Sequence, residues 1–281
     1  MKNKTSLVSV IIPCYNQGQY IDDAVNSVLN QTYDNFEIII VNDGSTNPET
    51  IDILKNYNQP KTKVIHTDNQ GLASARNNGI EMATGKYILP LDADDKIGDT
   101  YLEKAVNLLE DDQDLGIVYC EAELFGSKTG KWELAEYKFP DILLDNVIFC
   151  SGFFRKSDWE LVQGYKANMI YGWEDYDFWL SIINLGRKVY RIPQVLFFYR
   201  QVNNSMTKAL TRDKFIYSYT QLFKNNQELY CNNIEFIFTE IIDLRDGKNI
   251  QKFHFLTKLK HRFPHIWEFF KNLAVKSKLL K

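Results

Sequence analysis

Cysteine is sparse in this 281-residue chain and scattered: Cys14, Cys120, Cys150 and Cys231 form no CxxC pair and share no Cys/His spacing of the kind that holds zinc. That excludes a structural zinc site and a secreted disulfide framework, and a reducing cytoplasm is the compartment expected. No apolar run approaches the roughly 18 residues that cross a bilayer. The stretch Leu7 to Cys14 is too short for a signal-peptide core with a cleavage site. There is no GxGxxG, which argues against a dinucleotide dehydrogenase. No GxGxR-type loop follows the first apolar run, where Cys14-Tyr15-Asn16-Gln17-Gly18 stands instead, which argues against a nucleotidyltransferase. Internal repeats and low-complexity linkers are also lacking.

Neither sign of charge dominates: 33 Lys and Arg face 36 Asp and Glu, a net charge of −3. The distribution is uneven, because residues 248–281 hold nine basic residues against Glu268 alone, leaving that tail at +8 and the rest at −11. An acidic body is the wrong surface for nucleic acid, so no nucleic-acid partner is expected. What the chain does have is 44% apolar and 14% aromatic residues, enough for one large core or two smaller ones.

Strand and helix signals alternate through the first half. Val8 to Pro13 and Phe36 to Val41 are β-branched runs suited to strands covered on both faces, and Ile21, Ala24, Val25, Val28 and Leu29 make a helical stripe between them. A helix over 49–57, a strand over 63–67, a helix over 71–83 and a strand over 87–91 continue the pattern. Repeated β-α units predict an open, mostly parallel, Rossmann-like α/β sheet. Its ligands should sit at the carboxyl ends of the strands, where Asn42 to Ser45 and Asp92 to Asp95 fall. After residue 95 a helix over 100–111, with Thr100 and Glu103 as a capping box, precedes strands over 116–125 and 131–137 around a Ser-Lys-Thr-Gly turn, a mixed sheet edge. A helix over 173–186 carries Glu174 and Asp175 in its first turn. Residues 1–205 should form the catalytic domain and residues 206–281 a helical C-terminal region.

Asp92-x-Asp94 places two carboxylates on one side of an extended loop, hard ligands that suit Mg²⁺ or Mn²⁺ shared with a diphosphate. An isolated DxD is more often a solvated acidic loop. Here it follows VSVIIPCYN and VNDGS in the stretch GLASARNNGIEMATGKYILPLDADD, and GWEDYDFWL comes after it. This co-linear set resembles glycosyltransferase family 2, the inverting enzymes of the GT-A (nucleotide-diphospho-sugar transferase) fold, over residues 7–205.

The resemblance implies roles residue by residue. Pro13 and Tyr15 would open the nucleotide pocket, Asp43 would accept the uracil N3 proton, Arg76 would sit near base and diphosphate, Asp92 would touch the ribose, and Asp94 would hold the metal. Asp95 would serve as a turn or supporting residue. Asp175 would be the general base and Glu174 its support or an orienter of the acceptor, although acids in a first helical turn also simply favour the helix dipole. Gly152 in Cys150-Ser151-Gly152-Phe153 would let backbone approach the substrate, and Phe153, Tyr171 and Trp173 are candidate sugar-stacking rings or core residues. The histidine common two positions after the Tyr-Arg near the domain end is replaced by Val202, so the metal shell is expected to rest on Asp94, phosphate and water, or on a group such as Ser205.

The implied activity is metal-dependent transfer of a hexosyl or N-acetylhexosaminyl group from a UDP-sugar to a glycan or lipid-linked hydroxyl, giving a β-linkage in bacterial surface polysaccharide synthesis. The alternative from another class is a non-catalytic sugar-nucleotide-binding or scaffold protein, against which the presence of both Asp94 and Asp175 argues. In the tail, Ile266, Phe269, Phe270 and Leu273 lie on one helical face among lysines. Such a basic amphipathic helix fits equally the inner face of an anionic membrane, which would make the protein peripheral there, and docking on the domain or on a second subunit.

Overall fold

Val8–Cys14 (β1) and Phe36–Asp43 (β2) carry apolar residues on both faces, which a sheet covered on both sides shelters. All of β1 and all but one residue of β2 are buried. The computed structural model describes residues 6–202 and 211–245, and the basic amphipathic tail lies outside them. Between the first two strands, Ile21–Leu29 (α1) buries Ile21, Ala24, Val25 and Val28. Pro48–Lys55 (α2) starts at Asn47, whose side chain accepts the Thr50 amide at 2.8 Å, with proline in the first turn, where its missing N–H costs nothing. Then come Thr62–Thr67 (β3), Leu72–Met82 (α3) and Tyr87–Pro90 (β4). Helix α3 lies directly on the sheet, since a Cβ at Gly79 would come within 2.4 Å of Ile11 and 2.9 Å of Val41.

Beyond β4 lie Lys96–Ile97 (β5), Tyr101–Asp111 (α4), Leu115–Gly126 (β6), Gly130–Trp132 (β7), Phe153–Arg155 (β8), Lys156–Leu161 (α5), Glu174–Asn184 (α6) and Lys188–Gln201 (β9). The sheet order is β3-β2-β1-β4-β8-β6-β9-β5, with β7 paired to β6. Strands β3, β2, β1 and β4 are mutually parallel, and β8 enters antiparallel between β4 and β6. The expected parallel sheet with a mixed edge is therefore what forms.

Two local readings change. The capping box at α4 is absent: Thr100 makes no side-chain cap, Glu103 accepts instead from Thr32 Oγ1 at 2.8 Å, and the Leu102 amide is taken by Gln31 Oε1 at 3.0 Å. A side chain just beyond α1 thus satisfies an end that local sequence was expected to satisfy. The strand expected to reach residue 137 stops at Trp132, and the exposed Glu133, Ala135 and Glu136 lie outside it.

The chain divides into two compact units, Met1–Leu134 with Ile148–Asn226, and Ala135–Val147 with Gln227–Lys281. The first therefore takes in Arg212–Asn225 (α7), beyond the expected boundary at residue 205. The second contains Gln227–Asn232 (α8) and Ile234–Arg245 (α9), with Tyr230 donating to the Leu143 carbonyl at 3.1 Å. Among the described residues no helix is long and apolar enough to cross a membrane.

Candidate active site

Parallel pairing brings the carboxyl ends of β1, β2 and β4 to one edge of the sheet, with Cys14 in register with Asn42. Pro13 is buried within β1, and Tyr15, one residue past the strand, is 45% exposed. Asp43 ends β2, buried, its carboxylate accepting the amides of Gln70 and Gly71 at 3.0 Å each. The turn after it needs glycine: Gly44 has φ +65°, and a Cβ there would come within 2.5 Å of the Asn69 amide nitrogen. Asn42 Oδ1 accepts the Ser45 amide at 3.0 Å and completes the turn.

Arg76 on α3 is 1% exposed and sits between two carboxylates, Asp92 at 2.6 Å and Glu174 through its other terminal nitrogen. Burial alone would lower its pKa, but Asp92 and Glu174 outweigh that and hold the guanidinium charged. This bridge joins the β4 loop to the start of α6, which lie apart in sequence. Asp92 also accepts from the Cys150 thiol at 3.4 Å, and burial pushes that thiol well above its ordinary range.

Asp94 is pushed up to about 6, first by burial and then by the neighbouring Asp92 charge. Asp95 is wholly buried, raised by burial and by Asp94 and Asp92; one of its oxygens accepts the Arg200 amide at 2.8 Å and the other has no partner. Arg200 at the end of β9 steadies this loop: its Nε donates to the Asp94 carbonyl at 2.7 Å, it pairs with Asp23, and its guanidinium lies over the rings of Tyr20 and Phe125. Ligand atoms of Asp92, Asp95 and Cys150 lie within 4.8 Å of one another. Asp94, the carboxylate expected to hold the metal, is not one of this set; half-buried and raised first by burial, it is a hard oxygen ligand of the kind a divalent cation takes.

Asp175, the second residue of α6, accepts its neighbour's amide, Tyr176 N, at 2.7 Å. Burial, and then the Glu174 carboxylate, push it up to about 7, partly offset by Arg76. A carboxylate titrating there can take a proton near neutral pH. Trp173 precedes the helix at φ +67°, its ring 4.9 Å from Tyr219 and 5.4 Å from Phe215. Tyr171 packs on Tyr217 at 5.2 Å.

Two substrate candidates look different in the fold. Phe153 is completely buried in β8, edge-on to Tyr101 at 5.0 Å, so it is a core residue with no ring face left for a sugar. The space beside Gly152 is filled by the Trp179 ring, 3.1 Å from where a Cβ would stand. Sequence reasoning passed over Asp23 and the hydrogen-bonding side of Cys150, because both act through contacts far along the chain and carry no local motif.

The mostly parallel sheet with carboxylates at its strand ends is that of the GT-A fold, and comparison with known proteins gives the class, a glycosyltransferase. The Glycosyl transferase family 2 model matches residues 9–162, and the chain belongs to that family. TuaG of Bacillus subtilis (strain 168), named for teichuronic acid biosynthesis, is 34% identical over 77% of this chain and 89% of its own length. The uncharacterized glycosyltransferase YibD of Escherichia coli (strain K12) is 41% identical over 47% of this chain but only 39% of YibD. The crystal structure of residues 1–349 of S. aureus TarS in complex with UDP-GlcNAc shares the fold with a TM-score of 0.62, at 19% identity, over 82% of this chain and 73% of that one.

Proposed function

We propose that the chain is an inverting glycosyltransferase that moves a sugar from a UDP-sugar to an acceptor hydroxyl, with Asp175 as general base. The observation that carries this reading is the chain Asp92–Arg76–Glu174, its arginine and glutamate buried, which ties the acidic loop after β4 to the helix start bearing Asp175, itself pushed up to about 7. Binding and proton transfer can then share one frame, which is what a displacement at an anomeric carbon requires.

Asp43, Tyr15 and Pro13 are assigned to the uracil end of the donor and Asp92 to its ribose. Arg76, held by two carboxylates, keeps Asp92 in place rather than meeting the diphosphate as a free cation. Asp94 would hold Mn²⁺ or Mg²⁺, which when bound offsets charge developing on the departing diphosphate. Asp175 accepts the acceptor proton as that oxygen attacks from the face opposite the nucleotide, so an α-linked donor yields a β-linkage. Glu174 supports the base through Arg76, and Trp173, at the turn before α6, borders the acceptor side. TuaG's name and the TarS complex support a UDP-sugar donor and a surface-polysaccharide acceptor, and a peripheral place at the membrane would suit a lipid-linked one.

The test is UDP release from UDP-Glc, UDP-Gal, UDP-GlcNAc and UDP-GalNAc with Mn²⁺, beside calorimetry of UDP. Release from at least one donor, lost in EDTA, is expected. UDP binding without turnover of any donor, with glycan and lipid-linked acceptors supplied, would favour the scaffold reading. Turnover unchanged in EDTA would remove the metal.

A further inference from the structure

Helix α7 lies beyond the matched family segment, yet it holds the helix that carries the base. Asp177, two residues after Asp175, is completely buried. At about 100° per residue the two side chains leave α6 on nearly opposite faces, so Asp177 points into the packing while Asp175 points out of it. Asp177 Oδ1 accepts from Asn225 Nδ2 at 3.0 Å and from Asn226 Nδ2 at 2.9 Å, at the end of α7. Ser181, one turn on in α6, places its Oγ 3.1 Å from Asn226 Oδ1.

The same network reaches the segment before α6. Asn225 and Asn168 exchange amide hydrogen bonds at 3.0 and 2.9 Å, Asn168 also donates to Gln221 at 3.1 Å, and the Tyr217 hydroxyl donates to the Asn168 carbonyl at 3.0 Å. Trp173, the residue just before Glu174, is wedged against Phe215 and Tyr219 of α7. Both ends of the turn that presents Glu174 and Asp175 are therefore held by one helix.

A buried carboxylate without a cation in hydrogen-bonding contact is a poor way to add stability, since apolar packing of the same volume usually does as well or better. What two directed amide bonds to one oxygen supply is a fixed rotation of α6. We infer that Asp177 is a positioning residue for the transfer reaction, fixing through Asn225 and Asn226 the direction in which Asp175 enters the site. This rests on the reading of Asp175 as the base.

The second oxygen of Asp177 has no partner, so an asparagine can keep both bonds with its carbonyl oxygen while its amide takes the empty side. Asp177→Leu keeps the branch at Cγ, adds bulk and loses both bonds. The experiment measures UDP affinity, kcat with the donor that the parent turns over fastest, and melting temperature, and follows the Asp175 carboxyl by ¹³C NMR as a readout that needs no donor. In Asp177→Leu, UDP affinity should stay within about twofold while kcat falls about 10 to 10²-fold, as expected for a misplaced reacting group. The Asp175 titration should move away from about 7. Asp177→Asn should restore both.

A folded Asp177→Leu with parental kcat and an unmoved Asp175 titration overturns the proposal, and so does an Asp177→Asn as impaired as the leucine variant. If the leucine variant does not fold, Asn226→Ala removes one of the two bonds and is judged by the same outcomes. Asp175→Asn run in parallel separates the two ideas: parental turnover there would sink the base assignment, whatever Asp177 does.

Discussion

The donor side and the base side of the site are built in different ways. Tyr15, Asp43 and Asp92 to Asp95 stand at the ends of β1, β2 and β4, and the ladder that pairs Cys14 with Asn42 and Asn42 with His66 fixes their spacing through backbone hydrogen bonds. Glu174 and Asp175 have no ladder. They start a helix whose direction comes from side chains: Arg76 on Glu174, and Asn225 and Asn226 on Asp177. A backbone-built site tolerates side-chain changes one at a time, whereas a site held by a few buried polar contacts should fail at single residues.

The largest effect should fall on the base side. Asp175→Asn keeps the volume and the donor pocket but cannot take the acceptor proton, so turnover should drop about 10² to 10⁴-fold with UDP affinity unchanged. Steady-state rates beside calorimetry check this. Parental turnover would leave the carboxyl-end loops as a nucleotide site and nothing more.

Arg76→Ala removes the joint between the two sides. It leaves Asp92 and the buried Glu174 without their shared cation, and breaking a buried pair in this way costs about 3 to 5 kcal/mol. Urea unfolding should show that loss, with Arg76→Lys intermediate because one ammonium cannot reach two carboxylates as a planar fork does. A variant as stable as the parent would mean that the two sides are not joined here.

The same contrast explains what could be read from the chain. The parallel strands, the NDGS turn and the DADD loop were legible because strand periodicity is local and ligands collect at parallel strand ends. The mixed edge was legible as a change of pattern. Phe153 reads equally as core or as a sugar platform, since nothing in CSGFFR says that Tyr101 will close over its ring. Gln31 capping α4, and α7 gripping α6, are side-chain contacts spanning tens of residues, and no spacing rule reports them. A short motif singles out the Glu174-Asp175 turn, but the contacts that hold that turn carry no local signal.

A smaller effect is expected on the donor side. Asp43→Ala should weaken UDP binding by about 1 to 3 kcal/mol, the cost of an N–H left without a charged acceptor. Part of that loss should come through the loop after β3, because the same carboxylate receives the Gln70 and Gly71 amides. Comparing UDP with CDP separates the two: loss of the base contact falls on UDP, while loosening of the loop weakens both alike. Undiminished UDP affinity would take Asp43 out of the pocket.

The finest probe is the pH dependence of turnover. Asp175 acts as a base only when ionised, and its pKa is raised to about 7, so kcat should climb with pH below that value, close to tenfold per pH unit well under it, and level off above. Glu174 contributes to the raised value, because a second negative charge beside Asp175 disfavours its ionisation. In Glu174→Gln that repulsion disappears. Arg76 also loses one of its two carboxylates and is freer to favour the Asp175 anion. Both changes act in the same direction, so the rising limb should move to lower pH, and the variant should reach its own plateau earlier than the parent even if the plateau is lower. A limb that stays near 7 would show that Glu174 acts on the acceptor rather than on the base. A limb that moves up would mean that Arg76 has turned away from Asp175 once Glu174 no longer holds it.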